Sequence, residues 1–206
     1  MERVAYNPRV YRGRAPKPNE YKKLIKKGIT TVIIFKNQNH SEVDDEIAVL
    51  EKLGMAPEKI YHIPLPWKDI PSETQACEQV IQALVIISEV DASAQDKVFF
   101  HCTVGEDRTG LLAGLSTQLL GLHDQRNSYL KEMCNKGYAS GNPHKPAEVS
   151  ASVERYLTPL YLKISSLIAS GQLTRANLKP EVCKSLPMLN TESHFSTCGE
   201  ILKNEM

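Results

Sequence analysis

Cys102 and Arg108 close the two ends of a seven-residue segment, CTVGEDR, with Gly105 between them. The apolar run VFFHC at 98–102 leads into it, and RTGLLAGL at 108–115 leaves it with a helical pattern. A loop that follows a buried strand and opens a helix carries backbone N–H groups without partners, and these can converge on one anion. The helix dipole adds partial positive charge at the same place. Gly105 lets the backbone turn sharply and approach a ligand closely. The planar fork of Arg108 can hold two oxygens of a tetrahedral dianion. Cys102 would then sit at the centre of the cradle. Such surroundings lower a thiol by several units from its free value of about 8.5 and leave a nucleophile at neutral pH. The Thr109 hydroxyl is placed to donate to the sulfur and help it leave later, and the His101 imidazole to brace the loop from behind and tune the thiol. Alone, Cys102 would read as a buried core cysteine; with Gly105, Arg108 and Thr109 at fixed offsets it reads as the attacking group.

Expelling an oxygen leaving group from phosphorus needs a proton, delivered from a mobile loop outside the cradle. LPWKDIPSET at 65–74 offers Asp69 as a candidate, between a strand and a capped helix and flanked by Trp67 and Pro71. Asp69 could merely cap that helix, but Ser72 is the better cap. Glu106 and Asp107 are the competing acids; their side chains are expected to radiate outward, with Asp107 free to orient water or a neighbouring loop. The chemistry follows. Cys102 attacks phosphorus, and an acid on such a loop protonates the leaving oxygen and then activates the water that releases phosphate. Arg108 and the backbone N–H groups of Thr103, Val104, Gly105, Glu106, Asp107 and Arg108 hold the equatorial oxygens, which is the largest expected term. The scheme requires no metal and no cofactor.

His101-Cys102-x-x-Gly105-x-x-Arg108-Thr109-Gly110 resembles the full HCxxGxxR[ST]G signature of the cysteine-dependent protein tyrosine and dual-specificity phosphatases. VYRGRAPKPNEYKKLIKKGITTVI at 10–33 resembles the opening of small atypical dual-specificity members of bacterial type. The likeness covers roughly residues 9–120, with 120–170 as closing helices. It implies that Asp69 is the acid, since the family carries an aspartate some thirty residues before its cysteine. Trp67 and Asp69 resemble the family's WPD loop, with Lys68 where that loop has proline, so its hinge must differ. The resemblance also raises a redox role for Cys77, because some members protect the nucleophile by pairing it with a second cysteine; core packing of Cys77 is the simpler reading.

The elements that must position these residues alternate between strand and helix. RVYRGRAP reads as a short strand and turn, then a helix over about 20–27 capped by Asn19, the buried strand ITTVIIF at 29–35, a helix from Ser41 to Leu53, and a strand at 59–65. Ser72-Glu-Thr-Gln75 is a capping box, and Ala76, Val80, Ala83, Leu84 and Ile87 share one face of the helix behind it. A strand at 97–101, a helix at about 108–120 and helical residues at 124–136 follow. Thr158-Pro159 reads as a cap and first-turn proline. The fold class is therefore α/β: three αβα layers around a central, mostly parallel sheet of four to five strands. Residues 1–175 are read as the phosphatase-like domain and 176–206 as an extension, loosely packed or a short helix.

Net charge is +1, which gives no bulk attraction to nucleic acid. Residues 1–30 hold nine Lys/Arg against two acids, and 41–60 six acids against two lysines. The basic stretch can attract phosphate-bearing substrates or an anionic membrane, or simply be a solvated face. No apolar run reaches the ~18 residues of a membrane span. No Sec-type signal is read at the N-terminus. The five cysteines show no metal spacing and fit reduced thiols. The expectation is thus a cytoplasmic monomer, or an effector acting in a host cytosol. Arg12 and Arg14 could help line the phosphate entrance but are assigned no task, and the loop of His144 and Lys145 could border the site but reads as solvated.

The substrate is a phosphoprotein, with phosphotyrosine, phosphoserine or phosphothreonine, or a phosphoinositide. Inositol-lipid members of the resembled family tend to carry lysines in the loop, as in CKAGK, whereas Glu106 and Asp107 here repel a highly charged headgroup. Bacterial members with a similar GxDRTG ending act on both classes. A phospho-binding module with vestigial chemistry is the reading from outside enzymology.

Overall fold

The computed structural model describes residues 1–188 and 196–204. Five strands form one sheet in the order β1-β2-β5-β3-β4: β1 (Glu2–Arg3), β2 (Val10–Arg14), β3 (Thr31–Ile34), β4 (Ile60–His62) and β5 (Val98–Cys102). β1 runs antiparallel to β2 and every other pairing is parallel. Chain order breaks at β5, which lies between β2 and β3, and ligands of open parallel sheets bind at the carboxyl ends of strands at such a switch point. The register sets Cys102 opposite Arg14 and His101 between Gly13 and Ile34.

Alternation along the central strands divides the core. Val32, Ile34 and Phe99 face the smaller layer, made by α1 (Tyr21–Lys26) and α2 (Glu42–Lys52). Ile33, Val98 and Phe100 face the larger layer, made by α3 (Glu73–Ala92), α4 (Asp107–Leu119), α5 (Gln125–Glu132) and α6 (Ala147–Ala169). α4 is buried along its whole length. Close approach requires its Gly114, where an added Cβ would lie 2.9 Å from Met133 Sδ and 3.0 Å from Tyr161 Cε2. Ser72 caps α3 as expected, accepting from the Gln75 N–H at 3.2 Å.

Three local expectations give way to packing. Thr158-Pro159 does not start a helix; α6 begins after Pro146 and runs through Pro159. Continuation buries Val153 and Leu157 on the same side as Leu160, Ile164 and Leu167, which outweighs the hydrogen bond the proline forfeits. The helical stretch after Asp124 is shorter than 124–136: α5 ends at Glu132 and a 3-10 turn takes Cys134–Lys136. Ser41 makes no side-chain cap; its hydroxyl donates to Asp45 Oδ2 at 2.7 Å.

The reduced-thiol expectation is also overturned. Cys77 in α3 is bonded to Cys183, and Cys134 to Cys198 of α7 (Cys198–Asn204). Among the described residues only Cys102 is a free thiol. Cys77 is therefore neither simple core filler nor the partner of Cys102. Sequence separations of 106 and 64 hide both pairings from spacing alone. In the extension, a 3-10 segment at Pro180–Ser185 and α7 lay Val182, Leu186, Ile201 and Leu202 against the larger core. Residues 189–195 of that extension lie outside the described residues.

Titration of the denatured, unreduced chain with a thiol reagent is expected to count one free thiol, and five after reduction. Reduction should lower stability by about 2–4 kcal/mol per bridge in urea unfolding. Five reactive thiols without reductant would contradict the pairing.

Candidate active site

The segment between β5 and α4 is wrapped around its own N–H groups. Its carbonyls are engaged on the outside: Thr103 O accepts from the Ala15 N–H at 3.1 Å, and Gly105 O accepts from Arg12 Nη2 at 3.0 Å. A peptide plane holds C=O and N–H in opposite directions, so the N–H groups of Val104 and Glu106 are turned away from these partners, toward the loop centre. Gly105 makes this possible. Its φ is +83°, and a Cβ there would lie 2.5 Å from Arg14 N and 2.6 Å from Gly13 C. Its N–H donates to Cys102 Sγ at 3.3 Å. Cys102 itself is 1% exposed.

Arg108 is buried at the first turn of α4. Nη2 donates to Thr103 Oγ1 at 3.3 Å and Nη1 to Leu65 O at 3.1 Å. Burial pulls this guanidinium below its usual pKa, while Cys102 and then Asp107 pull it back. The bond to Leu65 ties this loop to the root of the segment carrying Asp69. Asp69 is exposed, in left-handed backbone at φ +50°, and Oδ1 accepts from the Tyr156 hydroxyl of α6 at 3.4 Å. Trp67 packs on the core beside it, and Lys68 Nζ stands 5.4 Å from the Trp67 ring centre.

Thr109 differs from expectation. Its hydroxyl accepts from the Cys102 N–H at 2.8 Å and donates to Gly13 O at 3.4 Å. The end of β2 passes close enough to claim the proton that was to serve the sulfur. His101 lies on the opposite sheet face from Cys102, with Nδ1 2.9 Å from Cys102 O, and so braces the loop from behind. Glu106 and Asp107 point away from the cradle. Glu106 accepts from Asn142 Nδ2 at 3.1 Å, and Asp107 Oδ1 accepts from the Ala139 N–H at 2.9 Å.

Two positions next to the motif have sharper roles than the sequence suggested. The loop holding Lys145 is exposed at Pro143, His144 and Pro146, but the Lys145 side chain turns inward: 5% exposed, it sets Nζ 2.5 Å from Asp107 Oδ1 and 3.1 Å from Glu106 Oε2, and donates to Gly137 O at 2.7 Å. Arg12, fully buried beneath the loop, donates to Gly105 O and Glu132 O and pairs with the Glu132 carboxylate at 3.6 Å. Burial lowers its pKa, and Glu132, Glu2 and Cys102 counter the shift. Arg14 instead turns outward to Glu20 at 2.9 Å, and His144 is exposed. The one available signal for Arg12 was period two: it shares a strand face with Val10. Among the described residues no group of three His, Cys, Asp or Glu is placed to hold a metal, and no helix is long and apolar enough to cross a membrane.

The model of the tyrosine phosphatase family matches residues 9–128. Among solved structures, Cydia pomonella PTP-2 phosphatase superposes with TM-score 0.51 at 11% identity, over 70% of this chain and 83% of that one. A mutant form of Tk-PTP gives TM-score 0.50 at 23% identity, over 73% and 93%. Pseudomonas aeruginosa TpbA gives 0.48 at 20% identity, over 77% and 87%. These likenesses concern the fold. No curated protein sequence matches the chain.

Replacing Arg12 by methionine removes the cation facing Glu132 and the donor on Gly105 O. The expected cost is about 3–5 kcal/mol in urea unfolding. Inhibition by orthovanadate should weaken roughly tenfold, as the freed carbonyl relaxes. Unchanged stability and inhibition would remove Arg12 from the loop's support.

Proposed function

Because the chain belongs to the tyrosine phosphatase family, we propose that it hydrolyses phosphomonoesters through a cysteinyl-phosphate on Cys102. The observation that carries this reading is a lone free thiol, bonded by the Gly105 N–H, in a loop whose carbonyls are tied outward. A phosphate seated there meets inward N–H groups and the Arg108 fork, while Sγ lies behind the phosphorus. Attack forms the S–P bond and breaks the P–O bond, with Asp69 giving its proton to the departing oxygen. Asp69 then takes a proton from water, which attacks phosphorus and frees the thiolate. Arg108 joins binding to acid delivery, since its other branch is bonded to Leu65 O on the Asp69 segment.

Phosphoproteins, with phosphotyrosine or phosphorylated hydroxyl residues, are the leading substrates. Phosphoinositides stand second, and one observation favours keeping them. Lys145 and Asn142 engage Glu106 and Asp107, so the loop's acids repel an anionic headgroup less than their charges alone suggest. For the setting, the two disulfides favour an oxidising compartment over the expected cytoplasmic one, because cytosolic thiol pools keep structural pairs reduced.

Steady-state kinetics on para-nitrophenyl phosphate, phosphopeptides and phosphoinositides test this reading. Cys102→Ser should abolish turnover on every substrate, and retained turnover would exclude the covalent route. Asp69→Asn should lower kcat about 10²–10⁴-fold, most for poor leaving groups. Phosphopeptide binding without turnover by the unaltered chain would favour a binding module.

A further inference from the structure

Glu46 lies in the acidic stretch at 41–60, yet it is 3% exposed. It projects from α2 into the smaller core layer, and its Oε1 lies 2.9 Å from His101 Nε2, itself fully buried. The other ring nitrogen, Nδ1, is 2.9 Å from Cys102 O. A carbonyl can only accept, so Nδ1 must carry a proton. Among the described residues neither Nε2 nor Oε1 has a hydrogen-bond partner elsewhere, so the two buried atoms have only one another to answer to. An isolated charge among Val43, Leu50 and Phe99 is costly, so a charge on either group depends on the other. The ring is further fixed by stacking on Phe99, with centroids 5.4 Å apart and planes 20° apart.

We propose that Glu46 is a positioning residue for the nucleophile: it keeps His101 donating from both ring nitrogens, which places a cationic ring behind the Cys102 carbonyl and favours the thiolate. This rests on the phosphatase reading and extends it to a second layer of control on the far side of the sheet. The neighbouring ionisable groups have their own partners or effects. Tyr21 of α1 faces Glu46, and its pKa is raised by burial first and by Glu46 second. Lys36 pairs with Glu42 at 3.3 Å, and His62 Nε2 lies 2.9 Å from Lys36 O. On the loop side, Cys102 is faced by Arg12 and Arg108, which in turn face Glu132 and Asp107.

Glu46→Gln separates charge from shape. The amide can still bond Nε2 but cannot neutralise a cationic ring. Cys102 is the free thiol, so alkylation by iodoacetamide, followed by intact mass against pH, reads thiolate without turnover. The variant should alkylate about tenfold more slowly near pH 6, equivalent to a shift of one pH unit, and converge on the unaltered protein at high pH. The acidic limb of kcat/KM should move upward alongside. Superimposable pH profiles, or an equal loss at every pH, would overturn the proposal. Should Glu46→Gln fail to fold, two-bond ¹H–¹⁵N spectra of the unaltered protein decide it: protons on both His101 ring nitrogens support it, and a proton on one alone overturns it. A chain that alkylates and titrates as expected yet hydrolyses no phosphomonoester would sink the phosphatase reading and leave this pair intact.

Discussion

A loop that binds an oxyanion through its backbone must find other partners for its carbonyls. Here β2 and the residue just after it supply partners for two of them. The Ala15 N–H takes Thr103 O, the guanidinium of Arg12 takes Gly105 O, and the left-handed turn at Gly105 lets the loop lie directly on the Gly13–Arg14 backbone. Much of the architecture serves this requirement. β2 must be parallel to β5 and in the register that sets Arg14 against Cys102. Glu132 must be brought under the sheet to hold Arg12. Lys145 must close the far side by holding Glu106 and Asp107.

The same loop is coupled to its surroundings at two further points. Arg108 reaches Leu65 O, so the segment bearing Asp69 and the cradle share a guanidinium. α6, by continuing through Pro159, carries Tyr156 to Asp69. Behind these contacts the C-terminal extension is fastened at Cys77, in the second turn of α3, and at Cys134, just before the Gly137 carbonyl that Lys145 holds. The bridges therefore anchor the supports of both loops.

What could be read from the chain alone was what is local. The strand–loop–helix at 98–115, the alternating elements and the loop of Asp69 are written in contiguous residues, and the parallel sheet follows from their order. What could not be read depends on distant partners. Arg12, Glu46 and Lys145 are charged, and charged residues are rarely buried unless paired. Their partners lie at Gly105 and Glu132, at His101, and at Glu106 and Asp107, so nothing local in the sequence pointed to them. Thr109 was misdirected because the approach of Gly13 is a tertiary fact. The cysteines misled for the same reason: an odd count hid two pairs and one free thiol.

The most direct test of the cradle is a crystal structure of the protein with orthovanadate. Vanadium bonded to Cys102 Sγ, with its oxygens within about 3 Å of the loop N–H groups and of the Arg108 guanidinium, is the expected result. An empty loop, or vanadate bound elsewhere while Cys102 stays packed in hydrocarbon, would contradict the account.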